Sequence, residues 1–479
     1  MATTEEPPDK IPLGQTALYG IGQMAHQIFD SGVGFLALYV FNISLGVSPV
    51  LVGVAQAISR GIDLFTDPLA GYLADSSRRH PWRLRLLIAA GTVLGGVSFA
   101  LIWLFPSGLT KLGYFFWLLG CFALASVGWS FCSIPRQALG FEMSRNSYQR
   151  AKLMATASFL ALLCNLVMAW SYWATQRPIF GGTVNGARWV GGGMGVAIIV
   201  FGLPFALLYR IKPTAEPAAL VSSDLVRAAG PKDFLRAIQR VRQCRPFLIV
   251  AGVVALVIIG LLSSTYGVCH VLALYYMSGG SQAQASILLG SSSTAWILAG
   301  IAVTGPAVWL SRRIGKKSTL MGSLVIAFAG AGLKWICYDP RWPWLFVVPH
   351  ACFGLCIGVV AALVPAMTAD ICDGEEATSG ARDSGMFSAF YNWTIKLGIS
   401  VSIALSGVLL NLSGFNVAAG RAQLPHTILT MRLVDIGFPA VSFAAAIALL
   451  SAYRSAPIRS APGSAEPTNS AEGVASRAV

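Results

Sequence analysis

The sequence predicts an all-α membrane protein of twelve transmembrane helices in two six-helix bundles. Three observations predict it. The 479 residues are 55% hydrophobic and only 11% charged, against about 25% charged in soluble domains. Their mean hydropathy is +0.66. Apolar runs long enough to cross a bilayer, which takes about 20 residues, recur along the chain, six before the polar stretch 211–245 and six after it. The short turns between runs alternate between basic and nearly neutral.

The expected spans are roughly 13–42, 50–75, 84–105, 112–140, 152–175, 189–210, 246–277, 283–310, 318–338, 343–368, 385–412 and 429–452. Residues 1–12 read as an acidic N-terminal tail without a cleavable signal. Residues 13–210 and 246–453 form the two bundles, and 211–245 is the central loop. From Pro231 that loop has the makings of a basic amphipathic surface helix. Residues 454–479, rich in Ser, Ala, Gly and Pro, read as a disordered tail. Basic residues gather in the turn after span 2 (Arg78, Arg79, Arg83, Arg85), after span 4 (Arg145, Arg150, Lys152) and after span 8 (Arg312, Arg313, Lys316, Lys317). Cytoplasmic loops carry such an excess, so both termini are expected in the cytoplasm. The same clustering explains the net charge of +14 without nucleic acid. The equivalent placing of DSSRRHPWRLR and SRRIGKKS in the two halves points to a parallel internal repeat.

Ionisable groups inside spans are costly and mark ion or substrate paths. In span 2, Asp63 and Asp67 stand four residues apart, on one helix face. With the hydroxyl of Thr66 they offer hard oxygen ligands to Na⁺, or two carboxylates sharing a proton. The alternative is a structural pair satisfied by Arg60 or Lys396. Lys396, in span 11, needs an anionic partner, for which that pair is the candidate; the alternative is a lysine snorkelling to the cytoplasmic interface. In span 1, Asp30 with His26 and Gln27 offers a hydrogen-bonding face for a solute, and His26 is a candidate proton carrier; the alternative is an interhelical contact. Arg136, behind Pro135 in span 4, either binds an anion in the cavity or pairs with Glu142 or an acid of the 10–11 turn. Trp129, Tyr266, Tyr275, Tyr276, Tyr391 and Trp393 are candidate cavity aromatics. Asp370, Asp373, Glu375 and Glu376 make an acidic 10–11 turn, which either closes a gate on Arg78, Arg79 or Arg150 or is simply solvated. The nine cysteines are scattered through apolar runs and read as small packing residues. No phosphate-binding loop, HExxH or Cys/His cluster appears, so catalysis and a bound cofactor are not expected.

Three stretches together resemble the glycoside–pentoside–hexuronide:cation symporters, the melibiose-permease group of the major facilitator superfamily. They are DLFTDPLAGYLAD, SIPRQALGFEMSRNSYQRAKL and ADICDGEEATSGARDSGMFSAFYNWTIKLG. The spacing between them also fits, so the resemblance covers nearly the whole chain. It implies two bundles and alternating access. It implies a cation site of Asp63, Thr66, Asp67 and Ser130 tuned by Lys396, with a hydroxyl at 66 where the permease has an amide. It places Asp370, Asp373, Arg150 and Arg382 among the family's 4–5 and 10–11 turn positions. The solute positions diverge. The family's span 1 acid aligns with Gln27 and its basic neighbour with His26, while the acid before the span 4 proline aligns with Ser133. The stacking tryptophan aligns with Gln137, and the span 5 arginine with Ser158. Asp30 is the candidate substitute acid. The expectation is a cation-coupled symporter of a small polar solute, a sugar or glycoside, with His26, Gln27, Asp30, Ser133, Arg136, Gln137, Tyr266 and Trp393 lining the cavity. The alternatives are a lysophospholipid or other amphiphile carrier, a use that animal members of the family imply, and a receptor-like protein with a degenerate transporter fold. The expected partners are the solute, Na⁺ or H⁺ and the lipid bilayer. The expected state is a monomer in a bacterial inner membrane.

Overall fold

The computed structural model describes residues 11–77, 81–143, 147–209, 243–265, 267–379, 384–416, 419 and 423–453. Among these the long elements are all helices, in the order α1 (Leu13–Ala37), α2 (Pro49–Ser77), α3 (Pro81–Trp103), α4 (Lys111–Glu142), α5 (Ser147–Ala169), α6 (Thr183–Leu208), α7 (Arg245–Thr265), α8 (Gln282–Ile314), α9 (Lys316–Cys337), α10 (Val347–Ser379), α11 (Ser384–Leu412) and α12 (Pro425–Ser451). Ten of them, α3 to α12, are long and apolar enough to cross a membrane. The two others, α1 and α2, are the ones that carry His26, Asp30, Arg60, Asp63 and Asp67. These polar groups lower the hydropathy of the two helices. Most of the tails and the central loop, residues 1–10, 211–242 and 454–479, lie outside the described residues.

Helix ends depart from expectation in ways the local chemistry explains. The first helix runs on from α1 into a π-helical turn, Leu38–Ser44. The run after α7 does the same, through Val268–Val271 into a π-helical turn at Leu272–Met277. The expected 10–11 turn is in fact helical to Ser379. Thr110 caps α4 by accepting from the Gly113 N–H at 3.1 Å. Gly315 joins α8 to α9 with φ +88°, a conformation open to residues without a Cβ. Pro68, Pro135, Pro204, Pro306, Pro365 and Pro439 lie inside helices, where neighbouring helices can re-satisfy the freed carbonyls.

Helices α1 to α6 pack among themselves, as do α7 to α12. Small residues set the closest approaches, the usual solution where lipid removes the hydrophobic drive between helices. A Cβ on Gly128 of α4 would stand 2.5 Å from the Gly95 nitrogen of α3, and one on Gly354 of α10 would stand 2.2 Å from the Trp296 carbonyl oxygen of α8. Two seams join the groups, α2 on α11 and α5 on α8. At the first, a Cβ on Gly407 would stand 2.4 Å from the Pro49 carbonyl oxygen. At the end of the molecule opposite the basic turns, one apolar core runs through both groups. There Tyr39 and Tyr172 stack at 3.6 Å, with the His270 ring edge-on to Tyr39 at 5.1 Å. Thr183 also donates to Gln282 Oε1 at 2.5 Å, and Trp170 Nε1 to Thr294 at 3.1 Å. A second core lies wholly within α7 to α12 and includes Cys244, Phe247 and Phe387 near the basic end. The groups are therefore sealed together at one end and keep separate cores toward the other.

Candidate functional site

The site is built on α2, where Arg60, Asp63 and Asp67 follow at intervals of three and four residues and so share a face. Asp67 lies against α4 and α11. Ser130 donates to its Oδ1 at 2.8 Å, and Thr66 and Ser130 share a hydrogen bond of 2.9 Å. The Lys396 ammonium pairs directly with Asp67 Oδ2. Lys396 is thus a partner of α2 across the seam, which overturns the snorkelling reading. Asp63, 7% exposed, has only a longer contact, 3.9 Å to Arg60 Nη1. Of the four oxygen-bearing residues expected at a cation site, Thr66, Asp67 and Ser130 are hydrogen-bonded together, and Asp63 stands one turn away on the same helix, beside Arg60.

Span 1 meets this cluster through Arg60. Its Nη1 donates to Asp30 Oδ1 at 2.9 Å and its Nη2 to the Asp30 carbonyl oxygen at 3.0 Å. The guanidinium also lies over the rings of Phe29 and Phe122 at 5.3 and 5.5 Å. His26 Nε2 is 3.1 Å from Asp30 Oδ2. Trp129 Nε1 donates to His26 Nδ1 at 3.0 Å. An indole N–H only donates, so Nδ1 is the accepting nitrogen and the ring proton sits on Nε2, facing Asp30. Asp30 is therefore committed to two protein partners, and the interhelical contact wins over a free solute acid. The same arrangement corrects the expectation of His26 as a proton carrier in this state. A second ring proton, on Nδ1, would point into the indole N–H.

The remaining solute candidates are dispersed. Gln27 donates to Ser31 Oγ at 2.7 Å on its own helix. Ser133 is buried and Gln137 half-buried. Trp393 is 48% exposed and meets the Phe390 ring edge-on at 6.4 Å. Arg136 is 1% exposed. It donates through Nη2 to Gln23 Oε1 at 2.9 Å and lies over the Tyr19 ring at 5.3 Å. Its Nε and Nη1 have no hydrogen-bond partner among the described residues; the Glu142 side chain, one of the expected partners, lies outside them. Tyr266, Arg78, Arg79 and Arg382 lie outside the described residues, as do the side chains of Arg150 and Asp373. Among the described residues Asp370 has its ion pair within its own group. It pairs with Lys316 of α9 at 2.7 Å.

One polar pair escaped the sequence reading. Lys334 of α9 and Asp435 of α12 meet at 2.9 Å with both side chains fully buried. The ammonium also lies over the Phe353 and Tyr338 rings at 5.1 and 5.9 Å. The signal that singled out Lys396, an ionisable residue inside an apolar run, was present for both. Gln23 carried no comparable signal, because it is not ionisable, and the meeting of Trp129 with His26 depends on the rotation of two helices.

Long apolar helices with a part-buried cluster of charges at the seam of two groups point to an integral multi-pass membrane protein. The model of the MFS/sugar transport protein family matches residues 18–455, and the chain belongs to that family. Its members are transporters rather than enzymes. The isoprimeverose transporter of Lactiplantibacillus pentosus is 22% identical over 447 residues, covering 92% of this chain and 88% of that protein. The uncharacterised symporter YjmB of Bacillus subtilis is 24% identical over 457 residues, covering 92% of each. Among solved structures, a bacterial homologue of the human lysosomal transporter Spinster, inward-facing and unoccupied, superposes with a TM-score of 0.64 at 15% identity. The match covers 94% of this chain and all of that one.

Proposed function

We propose that this protein is a cation-coupled symporter of a sugar or glycoside, working as a monomer by alternating access. Its twelve spans form two bundles, in a bacterial inner membrane with both termini cytoplasmic. The observation that carries the reading is the contact of Lys396 with Asp67. It joins the two groups of helices at the point where Asp63, Thr66, Asp67 and Ser130 gather their oxygens. A Na⁺ or H⁺ arriving there competes with the lysine ammonium for Asp67. Binding of the cation releases α11 from α2, and that release is the step by which a cation drives rearrangement. A ligand shifts a conformational equilibrium only through such differential contacts. The relatives' names, a sugar transporter and a symporter, support the same reading. The sealed end opposite the basic turns is then the outer face, and the solute enters this state from the cytoplasmic side.

The test is uptake of radiolabelled sugars and glycosides into proteoliposomes under an imposed Na⁺ or H⁺ gradient. Asp63→Cys and Asp67→Asn are expected to abolish gradient-driven uptake while the protein still reconstitutes. Gradient-driven uptake that survives both substitutions would overturn the cation site. Lack of uptake of any sugar by the native protein would overturn the solute class.

A further inference from the structure

The charges in the membrane core do not balance locally, and the imbalance falls at two separate places. Three carboxylates, Asp30, Asp63 and Asp67, touch two cationic side chains. Arg60 is shared between Asp30 and Asp63, and Lys396 is held by Asp67. One negative charge is left over, and it falls to Asp63, whose one ion-pair contact is the longest of the set at 3.9 Å. The positive charge left over is Arg136. It makes one hydrogen bond, to a neutral amide, and two of its buried nitrogens have no partner. A buried charge without a counter-charge is strongly unfavourable, and buried donors without acceptors add to that cost.

The side chain is held as a binding group would be. A Cβ on Gly22 would stand 3.1 Å from Arg136 Cδ, and Phe205 and Tyr19 close round the same place, so the stem is fixed. The head lies over the Tyr19 ring, and its one hydrogen bond among the described residues goes to the Gln23 amide oxygen, an uncharged acceptor. Gln23 is half-buried, and one turn further along α1 lie the part-exposed His26 and Gln27.

We infer that Arg136 is an anion subsite and that the solute carries a carboxylate, its negative charge entering with the cation that completes Asp63. This rests on the symporter reading and deepens it. A cation at Asp63 and a carboxylate at Arg136 together leave no uncompensated charge in the core. Each alone leaves one. The two ligands therefore favour each other's binding, and one cation with one anion moves no net charge.

The experiment uses the purified full chain with glucuronate and methyl glucuronide as acidic probes, and glucose and methyl glucoside as neutral ones. Lysophosphatidylcholine serves as an amphiphile whose anion is a phosphate. The acidic sugars are expected to raise the melting temperature, more so with Na⁺ or at lower pH, and the neutral sugars not. Arg136→Gln is expected to weaken acidic-probe binding by at least about tenfold, while the unliganded protein melts no lower than the native one. A purely structural arginine would give a lower melting temperature instead. Gln23→Glu, which places a carboxylate of the protein on Arg136, is expected to raise the melting temperature and block the acidic probes. In proteoliposomes, uptake of the acidic sugar is expected to be insensitive to an imposed membrane potential. Equal stabilisation by neutral and acidic sugars, undiminished acidic binding in Arg136→Gln or Gln23→Glu, or potential-driven uptake would overturn the inference. Stabilisation by lysophosphatidylcholine alone, lost in Arg136→Gln, would keep the anion subsite and discard the sugar. Gradient-driven uptake of neutral sugars only would keep the symporter and discard the subsite.

Discussion

At the scale of residues, the buried pair of Lys334 and Asp435 makes the sharpest stability prediction. Neither side chain reaches solvent or a lipid headgroup. Lys334→Ala leaves a carboxylate buried without its counter-charge and is expected to cost about 3–5 kcal/mol. The double replacement Lys334→Met with Asp435→Leu removes both charges and is expected to recover most of that loss. Denaturant melts in detergent measure both, and a double variant no better than the single one would show that the pair does more than neutralise itself. The acids of α2 were legible in the sequence because a four-residue spacing alone places them on one face. Lys396 was legible because a lysine in an apolar run needs a partner. The ties of Asp30 to Arg60 and His26 were not legible, since they depend on how α1 is turned toward α2. For the same reason the hydrogen bond of Arg136 to Gln23 was not legible.

At the scale of elements, the glycines of α4 form a controlled comparison on one helix. Gly128 faces the α3 backbone, whereas a Cβ on Gly120 would meet nothing within 4 Å. Gly128→Ala is expected to push α3 and α4 apart at a cost of about 1–3 kcal/mol, the usual penalty of overpacking. Gly120→Ala is expected to be neutral or to stabilise by up to about 1 kcal/mol, the difference in helix propensity. Thermal melts of the two variants side by side test this, and equal effects would show that the α3–α4 approach is not close in solution. The helices themselves were readable from apolar runs and basic turns. Their ends were less so, because the 10–11 stretch is acidic enough to look like a turn, yet continues α10 for eleven residues beyond the expected end at 368.

At the scale of the whole molecule, the sealed end makes the prediction. Thr183 of α6 and Gln282 of α8 meet there by a direct hydrogen bond. Thr183→Cys combined with Gln282→Cys is expected to form a disulfide on oxidation, to halt uptake while oxidised and to recover on reduction. A cross-linked protein that still transports would show that this end does not open during the cycle. The two-group arrangement was readable from six runs on each side of one long polar stretch. Which end is closed was not, since both ends carry short turns and the closure is made by rings and amides that read as ordinary interfacial residues.

The two π-helical turns, Leu38–Ser44 and Leu272–Met277, terminate the first helix of each group at the same end of the molecule. A π turn is an α-helix with one residue too many, its hydrogen bonds spanning five residues instead of four. Each therefore reads as a single inserted residue, one in the first helix of each group. Removing one residue, Val40 for instance, would restore regular winding and turn everything beyond it by about 100°. The register of the closed face therefore hangs on both turns, since Tyr39 of the first stacks on Tyr172 and meets the His270 ring just before the second.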